Sequence, residues 1–258
     1  MVSSFDPEAV ARHIAAAHEN REAYANLPSE IAPATVADAY AAQDALVRLL
    51  AGRLGGVAGL KIATTTRVMQ EMMGIDHPCG GNIFANTVHA SPARIRLSDH
   101  IHLMIECELA VRIGRELPTR GRPYTSDSVK AAIAAVMPAF ELIEDRNADY
   151  KSCNALSLIA DNCWNAGVVL GAEMPWEGSL AGIRGTLEID GQPSREGSTD
   201  DPLGALAWIA NLAAERGRPL APGMVVITGS VIPTLPIRSG DTFAFRLDGL
   251  GATSLTAV

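Results

Sequence analysis

The sequence contains no run of basic residues. It carries 21 lysine and arginine residues against 29 acidic ones, which gives a formal net charge of −8. Proteins that bind nucleic acid or anionic membrane surfaces concentrate positive charge, so we expect neither kind of partner. A small anionic substrate is compatible with this balance, because it responds to the charge around its own site.

Long apolar runs and closely paired cysteines are also missing. No apolar segment approaches the roughly 20 residues that a membrane-spanning helix needs. The first residues lack a basic region followed by an apolar one, so we expect no signal peptide. The four cysteines, at positions 79, 107, 153 and 163, form no C-x-x-C pair. We therefore expect free thiols in a reducing, cytoplasmic setting.

The composition, 48% hydrophobic and 19% charged, is that of a globular protein with one large domain or two small ones. The patterns predict helices over 7–27, from an N-cap at Thr35 to about Gly52, over 127–137 and over 202–215. Most of the remaining predicted elements are strands, and Asp190-Gly191 is typical of a hairpin turn. This layout predicts an α+β fold with a large antiparallel or mixed β core.

The segment 101–110 predicts a strand that contains Glu106-Cys107-Glu108. Side chains two apart in a strand point the same way, so the two glutamates share a face. Two adjacent carboxylates repel, and their burial is costly without a cation. A divalent metal would balance them, and all-oxygen ligation favours Mg²⁺ or Mn²⁺. The alternative is a solvated strand face. Glu141, in a predicted strand over 139–144, is either a third ligand or an edge glutamate.

Lys61 is a lone lysine in a short, apolar, glycine-containing strand over 57–63. Burial of a lysine lowers its pKa and makes the side chain useful in proton transfer. The alternative is a surface lysine whose ammonium reaches solvent.

Several motifs together resemble a known family. In chain order they are T-x-x-x-A-Y-x-x-Q at 35–43, G-L-K at 59–61, G-I-D-H-P at 74–78, E-C-E at 106–108, A-F-E at 139–141, A-D-N at 160–162, A-W-I-A-N at 207–211 and T-G-S at 228–230. Along nearly its whole length the chain resembles the fumarylacetoacetate hydrolase superfamily. The branch is that of the 2-hydroxypenta-2,4-dienoate (2-keto-4-pentenoate) hydratases and 4-oxalocrotonate decarboxylases.

The resemblance implies a fold and a set of site residues. The fold is a mixed β-sandwich or roll core, over 81–258, with an N-terminal helical α/β portion over 1–80, unless the two form one continuous domain. The metal, Mg²⁺ or Mn²⁺, would be held by Glu106, Glu108 and Glu141, and Lys61 would be catalytic. The substrate would be bound by Thr65, Asp76, Asp161, Thr228 and Ser230.

The resemblance also implies an activity and partners. The expected enzyme is a hydratase that adds water to a 2-hydroxy-2,4-dienoate, giving a 4-hydroxy-2-oxo acid in the catabolism of an aromatic compound. The alternatives are a 4-oxalocrotonate-type decarboxylase, an acylpyruvate C–C hydrolase and a non-catalytic partner subunit. The expected partners are a small 2-oxo or 2-hydroxydienoic acid, further copies of the chain in a homo-oligomer, and a decarboxylase or hydratase of the same family.

The chain departs from the family's pattern at two positions. Cys79 stands where many hydratases have an acidic residue, and it cannot act as a base unless its pKa is lowered. Trp164 stands where many have a serine, and it would narrow the pocket and make it more apolar. The Cys79 departure favours the decarboxylase, whereas Trp208 and Gly229-Ser230 favour the hydratase.

Overall fold

A computed structural model describes residues 5–120 and 123–258. In these ranges the helices are α1 (Pro7–Glu19), α2 (Val36–Leu54), α3 (Arg67–Met73), α4 (Ser126–Lys130), α5 (Ala155–Ala160) and α6 (Pro202–Glu215). The strands are β1 (Val57–Ala63), β2 (Cys79–Phe84), β3 (Val88–Ala90), β4 (Ala93–Ile95), β5 (Leu103–Ile113), β6 (Ile133–Glu144), β7 (Asn165–Leu170), β8 (Arg184–Ile189), β9 (Gln192–Ser198), β10 (Val225–Pro236), β11 (Thr242–Leu247) and β12 (Gly251–Ala257). Within the described part of the chain, no helix is both long and apolar enough to cross a membrane.

The strands form two sheets that share one core. The larger has seven strands in the order β2-β1-β10-β5-β6-β7-β3, and the smaller has five in the order β4-β12-β11-β8-β9. Both are mixed, because β1 runs parallel to β10 and β12 runs parallel to β4. Phe140 of β6 and Phe245 of β11 are fully buried, with ring centroids 6.1 Å apart. The predicted α+β fold with a mixed β core is confirmed.

The N-terminal helices agree with the prediction at one boundary and differ at another. Thr35 caps α2 and forms a reciprocal capping box with Asp38, as its position before the apolar stripe predicted. The helix predicted over 7–27 ends instead at Glu19. Beyond Glu19, the backbone N–H of Tyr24 donates to the carbonyl of Arg146, and the Tyr24 ring packs edge-on against Trp164. These contacts with a distant segment hold the chain out of the helix.

The helix predicted over 127–137 is wrong beyond its first turn. It ends at Lys130, and β6 starts at Ile133 and pairs with β5 as far as Glu144. Alanine-rich sequence favours helix, but that preference is small for each residue. Here the stretch from Ile133 pairs with β5, and the sheet hydrogen bonds and burial decide the conformation.

The N-terminal portion shares its sheet with the rest of the chain. β1 pairs with β10 on one side and with β2 on the other, and a boundary at residue 80 falls inside β2. The division into two domains stays a prediction. The pairing has a direct consequence for the site, because it places Lys61 in the sheet that carries the glutamates.

Candidate functional site

Three glutamates converge on one face of the larger sheet. Glu106 and Glu108 project from the same face of β5, and Glu141 of β6 lies directly opposite Glu106 in the antiparallel pairing. One carboxylate oxygen from each lies within 4.8 Å of the others. Glu108 and Glu141 are fully buried, whereas Glu106 is half-buried.

Two buried carboxylate oxygens of this group have no hydrogen-bond partner. The backbone N–H of Gly229 donates to Glu108 Oε2 (2.7 Å), and Asn165 Nδ2 donates to Glu141 Oε1 (3.0 Å). The other oxygens, Glu108 Oε1 and Glu141 Oε2, are unpartnered. A buried acceptor without a partner costs roughly 1–3 kcal/mol, and more when it is charged. These atoms are therefore available to a cation.

The charges of the group are unbalanced. Burial, and then the negative charges of Glu141 and Glu106, raise the pKa of Glu108 well above its ordinary value. Burial also raises the pKa of Glu141, although Lys61 opposes the rise. Three carboxylates against one ammonium leave an excess of negative charge that a divalent cation would offset. Carboxylate oxygens suit Mg²⁺ or Mn²⁺, so the residues fit such an ion.

Lys61 is buried, which rules out the alternative of a surface lysine. Its Nζ lies 2.8 Å from Glu141 Oε1. The expected lowering of its pKa is wrong. Burial does lower the pKa of the ammonium, but the negative charges around it, foremost Glu141, outweigh burial and raise the pKa above its ordinary value. The sequence pattern left open whether Lys61 is buried and gave no sign of its partner.

A cavity of about 450 Å³ lies beside the carboxylates. Lys61 and Glu106 line it, together with Thr65 and Ser230 from the predicted substrate-binding set. The structure does not bring Thr228 to the cavity, since its hydroxyl donates to the carbonyl of Leu109 (2.9 Å) within the sheet. Asp76 is exposed and also lies outside the cavity lining.

Asp161 lies in a different cluster. It is 3% exposed, with Oδ1 2.7 Å from His18 Nε2, and Oδ2 accepts a hydrogen bond from the guanidinium of Arg146. Both oxygens are thus engaged away from the cavity. The five substrate-binding assignments stay predictions, and the placement supports Thr65 and Ser230.

The site contains side chains that the sequence did not single out. Thr234 donates its hydroxyl to Glu106 Oε1, and Asn165 donates to Glu141. Tyr150 lines the cavity. Asn165 follows the A-D-N motif closely, which is a weak signal, whereas Thr234 and Tyr150 lie in segments without any. Cys79 is buried in β2, and burial raises the pKa of its thiol, so it does not replace an acidic base.

The comparison with known families agrees with this geometry. The model described as "Fumarylacetoacetate (FAA) hydrolase C-terminal" matches residues 61–257, the span that contains Lys61 and the three glutamates. The chain belongs to the fumarylacetoacetate hydrolase family.

Individual family members are similar over most of their length. The TodF product hydratase of Pseudomonas putida is 31% identical over 84% of this chain and 82% of its own. The 2-keto-4-pentenoate hydratase 1 of Dechloromonas aromatica is 28% identical over 98% and 97%. A solved structure of 4-oxalocrotonate decarboxylase from Pseudomonas putida G7, complexed with magnesium and adipate, superposes with a TM-score of 0.89 at 28% identity, covering 98% of this chain and 97% of that one.

Proposed function

We propose that this member of the fumarylacetoacetate hydrolase family is a divalent-metal-dependent hydratase that adds water to a 2-hydroxy-2,4-dienoate in the catabolism of an aromatic compound. One observation carries the proposal: three glutamates converge with two unpartnered buried oxygens, beside an ion-paired Lys61 and an open cavity. The hydratase names of its relatives support the reaction class.

Glu106, Glu108 and Glu141 would hold Mg²⁺ or Mn²⁺. When bound, the ion supplies positive charge that stabilises negative charge developing on the 2-oxygen of the acid. The chain holds the carboxylates in place: the Gly229 N–H fixes Glu108, and the Thr234 hydroxyl fixes Glu106. Such second contacts keep ligands oriented before an ion arrives.

Lys61 would hold and transfer a proton in the first step of the reaction, the ketonisation of the 2-hydroxydienoate. In ketonisation the 2-hydroxyl loses a proton and C5 gains one, so the remaining double bond lies between C3 and C4. Water then adds its hydroxyl to C4 and a proton to C3, giving a 4-hydroxy-2-oxo acid. The Lys61 ammonium is buried at the cavity wall and held by Glu141, which places an exchangeable proton beside the reacting acid.

Four of the five predicted substrate-binding residues divide into two groups, and the exposed Asp76 belongs to neither. Thr65 and Ser230 line the cavity, and we assign both contacts with the acid, Ser230 after its hydroxyl turns from the carbonyl of Ile232. Thr228 and Asp161 support the site without lining the cavity. The Thr228 hydroxyl links β10 to β5 next to Gly229. Asp161 anchors the turn that carries Trp164, because the backbone N–H of Trp164 donates to the backbone carbonyl of Asp161.

The test is turnover by the full chain loaded with Mg²⁺. We expect 2-hydroxypenta-2,4-dienoate to lose its ultraviolet absorbance and to yield 4-hydroxy-2-oxopentanoate. Lys61→Met should lower kcat by at least about a hundredfold, whereas Lys151→Met, at an exposed lysine, should not. Absence of turnover with Mg²⁺ bound would overturn the hydratase.

A decarboxylase is the second candidate, because the superposed decarboxylase shares the fold over nearly its whole length. Release of CO₂ from 4-oxalocrotonate, without hydration, would establish it. Cleavage of an acylpyruvate into two acids would instead establish the C–C hydrolase.

We further propose a cytoplasmic homo-oligomer, with a family decarboxylase or hydratase as an additional partner. The four cysteines are all free and buried, as in a reducing compartment. Light scattering of the purified chain tests the oligomer, since a monomeric mass would overturn it. Co-purification with a co-expressed decarboxylase of the family tests the partner.

A further inference from the structure

The cavity beside the glutamates is larger than a five-carbon acid requires. At about 450 Å³ it lies in the range, roughly 300–1,000 Å³, of pockets that enclose drug-sized ligands. Lys61 and Glu106 are among its polar lining residues. Much of the remaining wall is apolar, formed by Met69, Met73, Ile143, Leu158, Trp164 and Val231.

The cavity lacks a free positive charge. Among the described residues that line it, Lys61 is the one cationic side chain, and it is already paired with Glu141. A second carboxylate on the substrate would lose its hydration without gaining a counter-charge, which is costly.

Most hydroxyl groups in the lining donate their protons within the protein. Thr64 donates to the carbonyl of Ala63 (2.7 Å) and Tyr150 to Asp145 (3.0 Å). Ser230 donates to the carbonyl of Ile232, and Thr234 donates to Glu106. A hydroxyl has one proton to donate, so these groups offer little to a polar tail.

Trp164 forms a rigid apolar part of this wall. It lies in a turn where Asn162, Cys163 and Trp164 have φ values of 50°, 50° and 58°, a conformation that L-residues rarely adopt and that concentrates at functional sites. Tyr24 and Tyr150 clamp its ring edge-on, with centroids 4.9 and 5.5 Å away. Its one polar side-chain atom, Nε1, is enclosed, so the surface it presents to the cavity is carbon.

We infer that the substrate carries an uncharged, apolar tail beyond C5, and that Trp164 is a residue that determines this specificity. The inference rests on the proposed function for one point only: the acid end of the substrate lies at the glutamates. An alkyl or aryl tail then packs against Trp164, Met69 and Met73, whereas a dicarboxylic acid binds poorly.

The first experiment compares three classes of dienoate on the Mg²⁺-loaded chain: the five-carbon acid, its alkyl-extended homologues, and a homologue with a terminal carboxylate. We expect kcat/KM to rise about fourfold for each methylene that the cavity buries. The dicarboxylate should lie at least tenfold below the alkyl acid of equal length. Equal or better turnover of the dicarboxylate would overturn the inference.

Calorimetry separates this inference from the reaction. Binding of saturated 2-oxo acids to the Mg²⁺-loaded chain should show the same ranking with tail length and charge. A steep ranking without any dienoate turnover would support the apolar tail and overturn only the hydratase. A ranking that is flat, or that favours the dicarboxylate, would overturn the apolar tail even if hydration occurs.

Two sets of variants test which residues cause the preference for an apolar tail. Met69→Arg places a cation in the lining and should improve binding of the 2-oxo dicarboxylate at least tenfold. Met72→Arg, on the same helix but exposed and outside the lining, should leave the ranking unchanged. Trp164→Ala should remove most of the gain with tail length, and Trp164→Phe should restore part of it. If Trp164→Ala does not fold, the comparison of Met69→Arg with Met72→Arg tests the inference by itself. An equal change in dicarboxylate binding in these two variants would overturn it.

Discussion

Glu141 and Glu144 lie on the same strand, β6, in opposite electrostatic environments. Glu141 keeps one buried oxygen without a partner, and burial raises its pKa. Glu144 accepts hydrogen bonds at both oxygens, from the backbone N–H groups of Ile101 (2.9 Å) and His102 (2.8 Å), and its Oε2 lies 3.1 Å from His100 Nδ1. Burial alone would raise the pKa of Glu144, but these bonds outweigh burial and lower it to about 2.

This difference between Glu141 and Glu144 distinguishes carboxylates that can bind an ion from carboxylates that are already stabilised within the protein. Glu144 has its carboxylate satisfied by backbone hydrogen bonds, and the neighbouring Asp161 is paired with the Arg146 guanidinium. Glu106, Glu108 and Glu141 have too little positive charge, with Lys61 as their ion-pair partner. A folded chain retains such an arrangement only if packing elsewhere outweighs its cost, and binding of a cation relieves it.

The largest expected effect is on the unbalanced cluster. Glu108→Gln removes a charged ligand, so Mg²⁺ affinity and turnover should both fall by more than about a hundredfold. Calorimetry with Mg²⁺ and the loss of dienoate absorbance measure the two effects. Glu188→Gln, at an exposed glutamate of β8, is the matched control. Activity retained in Glu108→Gln would remove Glu108 from the metal site.

Substitution within the buried pair of Asp161 and Arg146 should lower the stability of the folded chain. Asp161→Asn leaves the buried Arg146 guanidinium without its counter-charge, which should lower the free energy of unfolding by about 3–5 kcal/mol. Urea unfolding measures the loss. Asp127→Asn, which breaks an exposed pair with Lys130, should change the midpoint little. A similar small change in both variants would show that the buried pair is not important for folding.

Mg²⁺ should stabilise the folded chain, because the unfolded chain cannot bring the three glutamates together. At a free concentration of about 100 Kd the gain is about 2.7 kcal/mol, or roughly 5–10 °C in Tm for a chain of this size. Differential scanning calorimetry with and without a chelator measures it. The shift should be lost in Glu108→Gln, and a shift of equal size there would place the ion elsewhere.

The smallest expected effect is the pH dependence from Glu144. Its folded pKa lies below the ordinary value of 4.5, so its stabilisation is fully present above about pH 4.5 and is lost as pH falls towards about 2. With allowance for solvent screening, the loss is roughly 2 kcal/mol. Glu144→Gln should flatten the dependence of unfolding free energy on pH in this window. An unchanged slope relative to Glu188→Gln would contradict the assignment.

Local features were predictable wherever neighbouring residues decide them. Thr35 is the predicted N-cap of α2, and Pro202–Glu215 is the helix that its proline start and apolar stripe predicted. Asp190 and Gly191 connect β8 to β9 as a hairpin. Strand alternation also placed Glu106 and Glu108 on one face. Each of these depends on residues within a few positions of one another.

Features that depend on distant segments were predicted less well. The alanine-rich stretch before Pro138 predicts a helix, yet its pairing with β5 makes it a strand. The pKa of Lys61 was predicted in the wrong direction, because its sign depends on the charge of Glu141. Trp164 was recognised as unusual, but its clamping by Tyr24 and Tyr150 follows from the packing of three separate segments.

By itself, the sequence determined which groups bear the chemistry: carboxylates two apart in a strand, a lysine in an apolar segment, and the motifs of a family. The tertiary structure alone decided how they meet. The register of β5 against β6 sets Glu141 opposite Glu106, and the pairing of β1 with β10 carries Lys61 to Glu141. The physical reason is range: alternation and capping act between near neighbours, whereas charge balance and cavity shape depend on atoms that only folding brings within a few ångströms.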